Sequence, residues 1–136
     1  MGTWSMEPFG NDTAADWAER LVKTRDLSYL ETTLDAILES EGMPLESRSA
    51  EEAVAAAEVL AKLRGVGTQS DAYPAAVEHW LRSFQVTPSP ELLRKAQRAL
   101  ERIRKDPKLQ AEWYEAADAY AWSQTVARLE SVLGTN

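Results

Sequence analysis

The sequence predicts an all-α protein, an irregular bundle of about six helices with a non-helical N-terminal segment. Apolar residues recur with the 3.6-residue period of an amphipathic helix almost without interruption from Ala14 to Leu133. No segment alternates apolar and polar residues as a half-buried strand would. The length fits a single domain, residues 1–136, in which residues 1–11 form a loop segment packed on the bundle.

The N-terminal segment is punctuated by Gly and Pro and is therefore not expected to be helical. Its apolar content includes Trp4 and Phe9, and we expect both to be buried and to tie the segment onto the bundle. Asn11, Asp12 and Thr13 compete for the capping position of the first helix, because their side chains accept hydrogen bonds from free backbone N–H groups. The apolar stripe of that helix is Ala14, Trp17, Ala18, Leu21 and Val22.

The second and third helices differ in their apolar patterns. Asp26 is expected to cap a second helix whose apolar stripe ends at Leu38. Ser47 or Ser49 opens a third helix that runs to Arg64. That helix is apolar nearly all round and consists mostly of small residues, a pattern typical of a central helix that its neighbours approach on several sides.

The last three helices are each predicted to begin at a proline, since proline is tolerated at the first helical position. They begin at Pro74, Pro90 and Pro107. The sixth is the longest and is predicted to run to about Leu133.

Composition and charge exclude several classes of function. The chain has no Cys, which excludes disulfides, thiolate nucleophiles and Cys-based metal sites. Its net charge of −7 argues against a general nucleic-acid binder, because affinity for phosphates comes from Lys and Arg. No apolar run approaches the roughly 20 residues that span a bilayer, and no secretory signal is evident. We expect a cytoplasmic protein without a cofactor or metal.

The N-terminal residues resemble those of a known family. The opening Met-Gly-Thr-Trp and the Pro-Phe-x-Asn-Asp at residues 8–12 resemble the bacterial family named domain of unknown function 4259. Residues 52–61 and 88–92 are also similar to it, so the resemblance covers most of the chain. Ser5 and Glu7 depart from the pattern, which has Gly there. The resemblance implies a shared fold and no particular activity.

The first candidate binding site combines the N-terminal segment with the start of the first helix. Asp12 and Asp16 are spaced by four residues, so their carboxylates share one helix face beside Trp4 and Asn11. Such a group could bind a cation or the Arg of a partner. The structural alternative, which we favour, is that the aromatic side chains close one end of the bundle while Asn11 and Asp12 cap a helix.

Charge is distributed unevenly along the chain. Residues 1–58 hold 13 acidic and four basic residues, a net charge of −9, whereas residues 91–108 hold seven basic and three acidic residues, a net charge of +4. We expect the charged stripes of the second and fifth helices to face water; the alternative is that they bind a partner or a second copy of the chain. The acidic stripe is Glu31, Asp35 and Glu39, and the basic stripe is Arg94, Arg98, Arg102 and Lys105.

A solvated acidic stripe makes a mutational prediction. If Asp35 faces only water, Asp35→Lys should leave stability unchanged or raise it slightly, through pairing with Glu31 and Glu39.

No recognisable catalytic site emerges from the residues. His79 is the only histidine and cannot form a two-His metal site. Glu115 and Asp118 are the best acid pair, since two carboxylates with different pKa values could carry acid–base chemistry. We therefore expect a non-enzymatic interaction module, inhibitor or immunity-like, that binds a basic partner through an acidic face. The alternatives are a carboxylate-based enzyme using Glu115 and Asp118, with or without a metal, and a nucleic-acid contact through the basic stripe.

Overall fold

A computed structural model describes residues 7–40, 42–69, 73–115 and 119–134, with backbone only at 113–115 and 119–120. Within these ranges the chain forms seven α-helices and no β-strand, so the all-α prediction is confirmed. The helices are α1 (Asp12–Leu21), α2 (Ser28–Leu38), α3 (Ser47–Leu63), α4 (Ala75–Ser83), α5 (Pro90–Lys105), α6 (Pro107–Glu115) and α7 (Ala119–Leu133).

Helix α3 lies at the centre of the bundle and contacts α1, α2, α5 and α7. Every residue from Ala53 to Ala61 is buried, because the small side chains of this segment allow four neighbouring helices to approach closely. The helix ends at a glycine in the left-handed backbone conformation, Gly65, with φ +89°. The N–H of Val66 donates to the carbonyl of Ala61 at 2.8 Å. This geometry satisfies carbonyl groups that the last helical turn leaves free.

Helix α1 is fixed to the bundle through the indole ring of Trp17. Trp17 is fully buried, its Nε1 donates to Oγ1 of Thr33 at 2.9 Å, and its ring stacks on Tyr29 with centroids 5.5 Å apart. At the edge of the contact with α3, Arg20 forms an ion pair with Glu52 at 2.7 Å. The exposed face of α1 is thus held on a rigid support.

The predicted sixth helix proves to be two elements. The structure has α6 and α7 in its place, packed against each other, and residues 116–118 lie outside the described part of the chain. A single helix from Pro107 to Leu133 would be about 40 Å long. Two shorter helices bury both apolar faces in the same core, where Leu109 and Leu129 are each fully buried.

Candidate functional site

The described part of the N-terminal segment, residues 7–11, packs against α1 and the loop that follows α3. Phe9 is 4% exposed, with its ring centroid 5.8 Å from that of Tyr73 and 6.4 Å from that of Trp17. The backbone N–H of Phe9 donates to Oε1 of Gln69 at 2.8 Å. The predicted burial of Phe9 is confirmed, whereas Trp4 lies outside the described residues.

The polar residues at the start of α1 have separate positions and roles. Asn11 is 2% exposed, and its Oδ1 accepts a hydrogen bond from the N–H of Ala14 at 2.8 Å, so Asn11 is the cap of α1. Asp12 and Asp16 are exposed on the helix surface. Glu19 is also exposed and follows Asp16 by three residues, which places the three carboxylates along one stripe. We call Asp12, Asp16 and Glu19 the α1 acidic face.

Glu58, in the middle of α3, is a buried carboxylate that sequence reasoning missed. It is 0% exposed and accepts hydrogen bonds from three residues of the loop after α3. The backbone nitrogen of Thr68 donates to Oε2 of Glu58 at 2.9 Å, and the Thr68 hydroxyl donates to Oε1 at 2.6 Å. The backbone nitrogen of Gln69 donates to Oε2 at 3.3 Å. The hydroxyl of Tyr73 also donates to Oε2.

The surroundings of Glu58 identify it as a structural anchor. Both carboxylate oxygens are engaged by the protein, and a Cβ added at Gly67 would lie 2.9 Å from Oε2 and 2.7 Å from the Tyr73 hydroxyl. A signal was present in the sequence, because Glu58 is the one charged residue within the apolar run from Ala53 to Ala61.

The acidic stripe of α2 is partly neutralised by the chain itself. Lys95 of α5 reaches across the α2–α5 contact, and its Nζ lies 2.6 Å from Oε2 of Glu31 and 2.8 Å from Oδ1 of Asp35. The hydrogen bond to Asp35, and then the one to Glu31, raises the pKa of Lys95 above its usual range. The expectation that this stripe faces only water is wrong at Glu31 and Asp35; Glu39 is exposed at the end of α2.

The basic stripe of α5 is also divided. Arg94 and Arg98 are exposed and form no ion pair with any described residue. Arg102 donates from Nη2 to the backbone carbonyls of Ser40 and Met43, the latter at 2.9 Å. Arg102 therefore holds the loop between α2 and α3 on α5, a role that its place in a charged stripe did not reveal.

Of the three residues considered for catalysis, only His79 has a described side chain. His79 is exposed on α4, and the side chain of Glu115 and all of Asp118 lie outside the described residues. In the part of the chain that is described, no three His, Asp or Glu side chains are grouped as they would be to hold a metal ion. Catalysis through Glu115 and Asp118 stays a prediction.

The fold is an all-α bundle whose described polar groups are caps, anchors and charged faces. A family model described as Domain of unknown function (DUF4259) matches residues 2–125, so the chain belongs to that family, and the inferred kinship is confirmed. No curated protein and no solved structure matches the chain. Among the described residues, no helix combines the length and apolar character needed to cross a membrane.

Removing the charge of Glu58 should destabilise the protein strongly. In Glu58→Gln one carboxylate oxygen becomes an NH2 group, which cannot accept a hydrogen bond from the N–H of Thr68. The lost hydrogen bonds are not replaced by water, because the side chain is fully buried. We expect the free energy of unfolding to fall by about 2–4 kcal/mol in urea denaturation at neutral pH. The matched control is Glu52→Gln on the same helix, which breaks an exposed ion pair and should cost under about 1 kcal/mol. Equal losses in the two variants would contradict the anchoring role.

Stability should decline in alkali because of Tyr73. Burial, followed by the hydrogen bond to Glu58, raises the pKa of Tyr73 well above its ordinary value of 10.0. Above pH 10 the unfolded chain releases this proton while the folded chain retains it. This contribution to stability is therefore complete below pH 10 and is lost as the pH rises, by at most about 1.4 kcal/mol per pH unit. Urea denaturation between pH 9 and 11.5 should show a shallower decline for Tyr73→Phe; identical slopes would refute the assignment.

The contact with Lys95 reverses the expectation for Asp35→Lys. The substitution places two cations together, so we expect it to lower the free energy of unfolding by about 0.5–1 kcal/mol. The swapped double variant, Asp35→Lys with Lys95→Glu, should recover most of the loss because it restores an opposite pair. Thermal denaturation at low salt measures both variants, and a double variant no more stable than the single one would argue against the pair.

Proposed function

We propose that this protein is a non-enzymatic cytoplasmic interaction module that binds a basic partner through the α1 acidic face. The observation that carries the proposal is a difference between two acidic stripes. Glu31 and Asp35 of α2 share Lys95 as an ion-pair partner, whereas Asp12, Asp16 and Glu19 are exposed and have no ion pair with a described residue.

The support beneath the α1 acidic face favours binding. Trp17 is anchored on the opposite side of α1, and Arg20 pairs with Glu52 at one edge. At the other end of the helix, burial raises the pKa of Glu51 of α3, and its interaction with the Thr13 side chain opposes this shift. A surface that is already ordered loses less conformational entropy when a partner binds.

The charge of the face defines the partner. The three carboxylates extend over about 10 Å of helix, since each residue advances the axis by about 1.5 Å. A row of this kind suits Lys and Arg side chains on a partner, and the net charge of −7 would attract a basic protein from a distance. This chemistry is compatible with an inhibitor or immunity-like role, in which an acidic surface covers a basic site of the target.

Neutralising the face should abolish capture of the partner. We expect the triple variant Asp12→Asn, Asp16→Asn, Glu19→Gln to lose basic proteins that the unmodified chain retains from a host lysate at low salt. With one such partner purified, the association rate constant should fall at least about tenfold in the variant at 20 mM salt and much less at 300 mM, because salt screens exposed charges.

The α2 stripe provides the matched control. The triple variant Glu31→Gln, Asp35→Asn, Glu39→Gln removes an equal number of negative charges from α2. It should bind the partner at nearly the rate of the unmodified chain. Thermal denaturation of both variants establishes that they remain folded. Loss of binding only in the α2 variant would assign the site to α2, and equal rates for both variants and the unmodified chain would end the acidic-face proposal.

A further inference from the structure

A second surface has the opposite charge and lies where the α2–α3 loop meets α5 and the start of α6. It is a groove of about 920 Å³, within the size range of ligand-binding clefts. One wall includes Leu38, Met43 and Pro44, and the other includes Lys105, Pro107 and Lys108.

The walls of this groove are held in place by buried polar contacts. Arg102 donates to the carbonyls of Ser40 and Met43, which fixes the loop on α5. Asp106, 8% exposed, accepts the N–H of Leu45 through Oδ2 at 3.1 Å and the N–H of Leu109 through Oδ1 at 3.0 Å. The groove is therefore built into the fold by a single Arg and a single Asp.

The groove combines an apolar side chain with a cationic rim. Met43 is 66% exposed, more than any other large hydrophobic residue described. Arg98, Lys105 and Lys108 surround it and are exposed. Glu101, paired with Lys105 at 3.8 Å, is the exposed acid of the lining, and Lys108 forms an exposed pair at 3.8 Å with Glu112 outside it. The carboxylate of Asp106 points to backbone N–H groups instead of the rim.

We propose that this groove binds an acidic peptide segment of a partner protein, with an apolar side chain against Met43 and carboxylates on Arg98, Lys105 and Lys108. Charge complementarity selects this occupant, because the rim is locally cationic in a chain whose net charge is −7. Methionine suits the role, since its flexible, polarisable side chain adapts to different apolar partners. A peptide is favoured over nucleic acid because it can place an aliphatic side chain against the exposed Met43.

The test uses synthetic peptides and fluorescence anisotropy with the full chain. The probe is a fluorescein-labelled ten-residue peptide in which Glu residues flank two Leu residues. Two control peptides replace Glu by Gln, or Leu by Ser, and should each bind at least about tenfold more weakly, because each removes one of the two complementary features. A single-stranded decanucleotide carries comparable charge without the leucines and should also bind more weakly than the probe.

Variants of the protein place the binding in the groove. Lys105→Gln with Lys108→Gln should weaken the probe at least about tenfold, and Met43→Ser should weaken it about fivefold through lost apolar contact. The matched controls are Lys23→Gln with Arg25→Gln, which removes two exposed cations elsewhere, and Val86→Ser, which alters another exposed apolar residue. Both controls should bind as the unmodified chain does.

Several results would overturn the proposal. The probe could fail to bind, bind no better than its Gln version, or bind more weakly than the decanucleotide. Sedimentation that shows self-association, abolished by the Lys105 and Lys108 changes, would make a second copy the occupant instead. Neutralising the α1 acidic face should leave probe binding intact. The groove proposal and the proposed function can therefore fail independently of each other.

Discussion

The buried carboxylate of Glu58 is the constraint on which one end of the bundle depends. A charge without access to water is tolerated only when the protein supplies donors in place of the lost hydration. Here the donors come from Thr68, Gln69 and Tyr73, so the loop after α3 has to fold over the carboxylate. Phe9 then packs on Tyr73 and bonds to Gln69, which makes the position of the N-terminal segment a consequence of the same charge.

A second buried acid, Asp106, holds the loop between α2 and α3. Asp106 joins Leu45 to the start of α6, and Arg102 joins α5 to the loop carbonyls. Both loops are therefore fixed by polar side chains that lie on helices or, for Asp106, at the junction of α5 and α6. Such contacts rigidify the surfaces above them, since a satisfied buried network admits few alternative arrangements.

The distribution of charge in space differs from the distribution along the chain. The acidic stripe of α2 and the basic helix α5 are neighbours, and Lys95 lies between Glu31 and Asp35. Lys95 therefore compensates part of the acidic charge of α2 within the molecule. The α1 acidic face and the cationic rim around Met43 retain exposed charge. They differ in sign and in apolar content, which is why they suit different partners.

The sequence by itself determined the helices, because burial of one face imposes a 3.6-residue period that remains visible in the order of residues. It also limited the cap of α1 to Asn11, Asp12 or Thr13, ended the third helix at Arg64 and predicted its central position, since each depends on local chemistry or on one helix alone. The tertiary structure decided which acidic side chains remain exposed and available to bind a partner. Glu31, Asp12 and Glu58 are alike in chemistry, and only the packing of helices and loops made one of them paired, one exposed and one buried. The packing of α6 against α7 was likewise decided by the tertiary structure, since a continuous apolar pattern cannot show how much length the core accommodates.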